Sequence, residues 1–206
     1  MSLTTYIAAM PKVELHVHLE GSVRPETLLE LARRHGMPLP AQTVAGLREW
    51  YTFTDFGHFI QVYRLLSACI RTTDDIELVA REFLAGQAAQ NVRYSEVTYT
   101  AYTHYAQKGL PFADQLAALN RARAWAVREL GVDMGLIVDI DRSMPAEDSL
   151  LVADWAIGAA GDGGSAGFLD ARRTRDRSGR YSQAGSRRHA LRRSSGPDSG
   201  QARLKR

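Results

Sequence analysis

Ten residues near the start of the chain, from Lys12 to Gly21, read Lys-Val-Glu-Leu-His-Val-His-Leu-Glu-Gly. Apolar residues alternate with polar ones, and this period of two predicts a β-strand whose alternate side chains share one face. His16 and His18 then lie on the same face, where two neutral imidazoles can bind one zinc or other transition-metal ion. Gly21 permits a sharp turn and Pro25 begins a helical stretch, so the histidines are expected at the carboxyl end of a strand that leads into a helix.

An isolated His-x-His can also consist of ordinary surface or hydrogen-bonded histidines. The longer string is more specific. Residues Pro11 to Ser22, followed by Pro25-Glu26-Thr27-Leu28, closely resemble the opening of the adenosine deaminase family of metal-dependent amidohydrolases. The resemblance extends from about Thr4 to Gly161, and it implies a TIM-type (β/α)8 barrel that holds a zinc ion.

Strand and helix patterns alternate three times in residues 1–161. Strands are predicted at Lys12–Gly21, Val92–Thr100 and Val132–Ile140. The main helices are predicted at Pro25–His35, Thr43–Tyr51, Asp55–Arg71, Asp75–Gln90, Pro111–Leu130 and Pro145–Ala160. This alternation predicts an α/β fold with a parallel sheet, and the resemblance makes it the N-terminal portion, about three βα units, of the barrel. Three units leave sheet edges unpaired, so we expect aggregation or chaperone capture.

The composition changes abruptly after Gly161. Residues 1–161 contain 14 Lys and Arg against 19 Asp and Glu, a net charge of −5, whereas residues 162–206 contain 12 against 4, a net charge of +8. The second segment is rich in Arg, Ser and Gly and has no aliphatic periodicity, so it is expected to be a disordered basic tail. Our hypothesis is that this tail is an out-of-frame translation, which the nucleotide sequence would test.

The resemblance also assigns roles to residues of the first strand. It implies that His16 and His18 are ligands of one zinc ion per subunit, and that His18 also borders the substrate. Glu20 occupies the position that contacts the sugar in relatives, which usually have Asp there. The general-acid glutamate of the family follows a His-x-Gly-Glu pattern that is absent here, because His189 precedes Ala190 and Leu191. No catalytic residue is therefore expected in this chain, and we expect it to be inactive.

Other polar residues are predicted to have structural roles. Asp74 and Glu77 are interpreted as a helix cap and its partner. Glu96, which matches a Glu-Val pair of relatives, is interpreted as a structural carboxylate paired inside the barrel.

Three histidines outside the first strand, His35, His58 and His104, are predicted to be surface or packing residues. The end of the third strand leaves two alternatives open. Asp139, Asp141 and Arg142 either border a pocket, because parallel barrels build their sites at this edge, or form a salt-bridged strand end.

By resemblance, the function is zinc-dependent hydrolytic deamination of adenosine, a 6-aminopurine nucleoside, to inosine and ammonia. Aminofutalosine or adenine deaminase activity is the alternative on the same scaffold. A third hypothesis is a non-catalytic fragment with a basic nucleic-acid-binding arm, although the tail lacks a folded reader and nucleic acid is not expected as a partner. A purine nucleoside is the expected small-molecule partner.

Features of the whole sequence limit the location and the cofactor chemistry. Cys69 is the only cysteine, so an internal disulfide and a cysteine-rich zinc site are excluded. No apolar run reaches the roughly 18 residues that span a bilayer. Because the N-terminus lacks the pattern of a secretory signal, a cytoplasmic location is expected.

Overall fold

The computed structural model describes residues 2–141 and 144–161, without the side chains of residues 160 and 161. The elements in chain order are α1 Leu3–Ala9, β1 Lys12–His18, a 3-10 helix Glu20–Ser22, α2 Pro25–His35, α3 Val44–Trp50, α4 Phe56–Cys69, α5 Thr73–Ala89, β2 Val92–Tyr99, α6 Ala101–Lys108, α7 Phe112–Leu130, β3 Asp133–Val138 and α8 Ala146–Gly161. The predicted basic tail, His189 and Arg142 lie outside the described residues. No helix in the described ranges is both long and apolar enough to cross a membrane.

The three strands form one parallel sheet in the order β1-β2-β3. Helices α2 to α5 connect β1 to β2, helices α6 and α7 connect β2 to β3, and α8 follows β3. The predicted α/β fold of three βα units is therefore confirmed. Helix α6 is an addition that the sequence patterns did not predict.

Strands β2 and β3 pair without interruption and bury one face under the helices. Ser95 pairs with Met134, Val97 with Leu136 and Tyr99 with Val138, and all six residues are buried. The alternate residues belong to the opposite face of the sheet. This face is where the interior of a barrel would lie.

Strand β1 departs from the regular alternation that its sequence predicts. Its register against β2 shifts between Glu14, which pairs with Ser95, and Val17, which pairs with Val97. Three steps along β1 thus match two along β2, which is the definition of a β-bulge. Paired residues of parallel strands share a face, so Glu14 lies on the helix side, where Gln87 Nε2 donates to its Oε2 over 2.6 Å. The strict alternation of β1, which would place Glu14 on the face of the histidines, is therefore interrupted by the bulge.

The outer edge of β1 and helix α1 expose apolar side chains. Val13 is 62% exposed and Leu15 is 57% exposed, and no residue of α1 is buried. Polar contacts join the end of helix α1 to the sheet: Asn91 Nδ2, just before β2, donates a 2.6 Å hydrogen bond to the carbonyl of Ala9, and Lys12 Nζ of β1 donates to the carbonyl of Met10. In the described residues, β1 has a neighbouring strand on one side only.

The predicted cap of α5 involves different residues. Thr72 is the N-cap: its side chain accepts a hydrogen bond from the backbone N–H of Asp75, and the Asp75 carboxylate accepts one from the Thr72 N–H. Asp74 and Glu77 are therefore not the capping pair. Glu77 instead accepts hydrogen bonds from the neighbouring Arg81 and Arg121.

Candidate metal and substrate site

His16 and His18 lie side by side at the carboxyl end of β1. Their ring centroids are 5.4 Å apart and their planes are inclined by 71°. They flank Val17, which pairs with Val97 on the helix side, so both rings occupy the other face of the sheet. The bulge therefore leaves intact the prediction that the two imidazoles share a face.

The two histidines line a cleft of about 1100 Å³. The ends of all three strands contribute to its wall, which is the edge where parallel βα folds build their sites. Helix α4 adds Tyr63, whose ring centroid lies 6.2 Å from that of His18 at 85°. Thr100, Asp139 and Asp141 complete the part of the wall near β2 and β3.

Glu20, the predicted sugar-contacting residue, is completely buried. Its Oε1 accepts a 2.8 Å hydrogen bond from the Thr100 N–H and lies 3.4 Å from His104 Nε2, while its Oε2 accepts one from the Tyr63 hydroxyl at 3.3 Å. Burial alone would raise the pKa of Glu20, but the hydrogen bonds from His104 and from the Thr100 backbone outweigh it and lower the pKa. Glu20 therefore stays ionised, in contact with Tyr63 of α4, His104 of α6 and Thr100 between β2 and α6.

A buried network that no sequence pattern indicated lies behind Glu20. His104 stacks on Tyr99 with ring centroids 5.3 Å apart, and its Nδ1 lies 3.0 Å from Lys108 Nζ. Lys108 Nζ also donates to the carbonyl of Ser67, at the end of α4. Burial lowers the pKa of Lys108 to about 8, although the charge of Glu20 opposes this shift. His104 is thus a packing residue, as predicted, but a fully buried and hydrogen-bonded one.

Asp139 follows β3 and lines the cleft. Its Oδ2 accepts a 3.3 Å hydrogen bond from the Thr100 hydroxyl, whereas its buried Oδ1 has no hydrogen-bond partner among the described residues. Burial, followed by the charge of Glu20, raises the pKa of Asp139 to about 6. Asp139 and Asp141 both line the cleft, as the pocket-border alternative for this strand end predicts.

The other candidates lie away from the cleft. His35 Nε2 contacts the buried Asp75 at 2.6 Å, and the His58 ring lies against Trp50, with centroids 5.8 Å apart. Glu96 pairs in register with Gly135 within the sheet. No ion pair with Glu96 forms in the described part of the chain, so its predicted pairing is not found there.

The described residues supply two candidate metal ligands. Within residues 2–141 and 144–161, no group of three or more His, Cys, Asp or Glu side chains is arranged to hold a metal ion. His16 and His18 are thus a pair of imidazoles facing an open cleft. Catalytic zinc normally has at least three protein ligands.

The fold and this pair define a class of protein: a parallel βα fold with candidate metal ligands at the carboxyl end of its first strand. The sequence profile of the adenosine deaminase family matches residues 11–170, and the chain belongs to that family.

Within this family, the chain is similar to several purine deaminases and to a zinc-bound amidohydrolase. The chain is 36% identical to an adenine deaminase from Rhodospirillum rubrum over 152 residues, which cover 74% of this chain and 45% of that relative. It is also 36% identical to an aminodeoxyfutalosine deaminase from Streptomyces avermitilis, over 78% of this chain and 43% of the relative. A zinc-bound amidohydrolase from Burkholderia ambifaria matches with a TM-score of 0.67 and 31% identity, over 77% of this chain and 44% of that structure. The chain thus spans about half the length of the relatives it matches.

Proposed function

We propose that this chain provides the first-strand part of the site of a zinc-dependent enzyme that hydrolytically deaminates a 6-aminopurine. The observation that carries this proposal is the pair of neighbouring imidazoles, His16 and His18, facing a cleft in a member of the adenosine deaminase family. Adenine is the favoured substrate, because similar relatives are named adenine deaminases. The proposal of adenosine, made from the opening motif, has less support.

Aminodeoxyfutalosine deamination is the second candidate. It is favoured by the similarity to the Streptomyces avermitilis protein, which covers more of this chain than the match to the Rhodospirillum rubrum enzyme does. Both candidates share hydrolysis of an amino group on a purine ring. The two candidate substrates differ in the part beyond the purine ring, which the cleft must also accommodate.

The chemistry of the two side chains fits zinc. Neutral imidazoles are good zinc ligands, and two rings at this separation can approach a single ion. Zinc, when bound, acts as a Lewis acid that activates water at neutral pH. The chain's own contribution is to hold His16 and His18 on one face of β1 and to wall the cleft beside them with Tyr63.

Zinc titration of the full 206-residue chain tests the metal part of this proposal. We expect weak, saturable binding by calorimetry, because the described residues supply only two ligands. His16→Ala and His18→Ala should each abolish it, while His58→Ala, a change of a helix histidine beside Trp50, should leave it unchanged. Equal zinc binding in all four proteins would contradict the proposal.

A chimera tests the substrate. Residues 1–161 would be joined to the remaining part of the Rhodospirillum rubrum adenine deaminase, and ammonia release from adenine, adenosine and aminodeoxyfutalosine would be compared. We expect adenine to be the best substrate and His16→Ala to remove its turnover. For the isolated 206-residue chain we expect no measurable turnover. If the chimera prefers adenosine, adenosine rather than adenine would be the proposed substrate.

A further inference from the structure

Two carboxyl groups at the strand ends share one neighbour but have opposite surroundings. Thr100 donates through its backbone N–H to Glu20 and through its hydroxyl to Asp139. One residue therefore joins the carboxyl that follows β1 to the carboxyl that follows β3. Carboxyl groups in contrasting environments commonly take different roles in a site.

Glu20 is committed to donors of its own chain. The Thr100 N–H and His104 Nε2 contact one oxygen, and the Tyr63 hydroxyl contacts the other. The side chain has no exposure to solvent, and it does not line the cleft. Because Glu20 is completely buried, a sugar hydroxyl could reach it only if the side chains that cover it moved.

Asp139 has the complementary properties. It lines the same cleft as His16 and His18, and one of its oxygens lacks a hydrogen-bond partner among the described residues. Its other oxygen has a single long contact, 3.3 Å from the Thr100 hydroxyl. Buried acceptors without partners are uncommon in folded proteins, and one beside a cleft is explained if a ligand supplies the missing donor.

We infer that Asp139, rather than Glu20, is the carboxylate through which this cleft accepts a hydrogen bond from its substrate, and that the donor is an N–H group of a purine base. This inference rests on the proposed function. It makes Asp139 a specificity-determining residue, and it makes Glu20 a structural anchor for the ends of β1 and β2. Because Glu20 is buried and does not line the cleft, it is not exposed to a sugar, so a free base should be preferred over a nucleoside.

Chemical labelling of carboxyl groups in the full chain tests the assignment. A water-soluble carbodiimide with glycinamide would be applied at pH 6, and the modified sites would be located by peptide mass spectrometry. We expect Asp139 to react and Glu20 to react at least about tenfold more slowly, since labelling Glu20 requires local opening of the fold. The exposed Glu49 serves as the reference for full reactivity. Faster labelling of Glu20 than of Asp139 would overturn the inference.

Repeating the labelling with zinc and adenine, alongside calorimetric titration of adenine, separates the inference from the proposed function. Binding of adenine that slows the labelling of Asp139, and that weakens about tenfold in Asp139→Asn, supports both, since one lost hydrogen bond to a charged acceptor has this magnitude. Binding without protection of Asp139 overturns the inference alone. No adenine binding contradicts adenine as the substrate in the proposed function, whereas the labelling of Asp139 and Glu20 without ligand still decides which carboxyl group faces the cleft.

Discussion

The pairing of β2 with β3 is regular, whereas the pairing of β1 with β2 is not. β2 and β3 pair residue for residue and bury Val97 and Leu136 beneath the helices. β1 carries register shifts, exposes Val13 and Leu15, and yet holds both candidate metal ligands. The regular half of the sheet carries the buried core, whereas the irregular strand carries the candidate metal ligands. Bulges next to functional sites are a common way to aim side chains.

The largest change in the free energy of unfolding is expected for a substitution in the core beneath β2 and β3. Leu84 of α5 is fully buried in the core. We expect Leu84→Ala to reduce the free energy of unfolding by about 2–5 kcal/mol, measured by urea denaturation, because the cavity adds to the loss of buried surface. Leu150→Ala in α8 is the matched control, since Leu150 is 62% exposed and should change stability by less than about 0.5 kcal/mol. Equal losses in the two variants would contradict the division of roles.

Substitutions of Glu20 and Asp139 should change the free energy of unfolding by an intermediate amount and in opposite directions. Glu20→Gln should destabilise the fold by about 1–3 kcal/mol at pH 7.5, because buried donors lose a charged acceptor. Asp139→Asn should instead stabilise it by about 1–3 kcal/mol at that pH, since the pKa of Asp139 is raised to about 6. Urea denaturation curves for the three proteins would measure both changes.

The effect of Asp139→Asn should depend on pH, because the pKa of Asp139 is raised in the folded protein. A raised pKa means that the native state binds the proton more tightly than the unfolded state does. The contribution of Asp139 is therefore fully present below its ordinary pKa of 3.8 and is lost as the pH rises through about 6. The advantage of Asp139→Asn should accordingly be smaller at pH 5 than at pH 7.5. An advantage independent of pH would show that ionisation is not its cause.

The smallest effect is expected at the exposed edge of β1. Replacing Val13 and Leu15 together by Thr should change the free energy of unfolding by less than about 0.5 kcal/mol, because both side chains are largely exposed. Self-association, measured by analytical ultracentrifugation, should nevertheless decrease, since exposed apolar edge strands promote pairing between chains. Unchanged association would mean that this edge is not the surface through which copies meet.

The sequence predicted the elements well where the signal is local. The periodicity of β1 and the glycine caps at Gly36 and Gly131, both with positive φ, are visible in neighbouring residues. The bulge between Glu14 and Val17 had no such signal, because it arises from pairing with β2. The shift of the α5 cap from Asp74 to Thr72 is a difference of two residues between similar capping types.

The candidate site was predicted only in part, because some of its contacts join residues that are far apart in the sequence. His16 and His18 are two positions apart, so their common face follows from strand geometry. The contact between Glu20 and His104 joins residues 84 positions apart, and His104 lies on α6, which the patterns did not reveal. One oxygen of Asp139 contacts Thr100 and the other has no hydrogen-bond partner in the described part of the chain, an arrangement that depends on packing and could not be inferred from composition or spacing.

The β1 bulge also determines how this strand responds to changes in length. β1 has two residues between Glu14 and Val17, whereas β2 has one between Ser95 and Val97. Deleting Leu15 would equalise these two segments, while Val17 and His18 kept their partners and both imidazoles kept their face. Deleting Val17 would instead shift the residues after the bulge by one and turn one histidine away from the cleft. The chain therefore carries one position, next to its most constrained motif, where a residue can be lost without moving that motif.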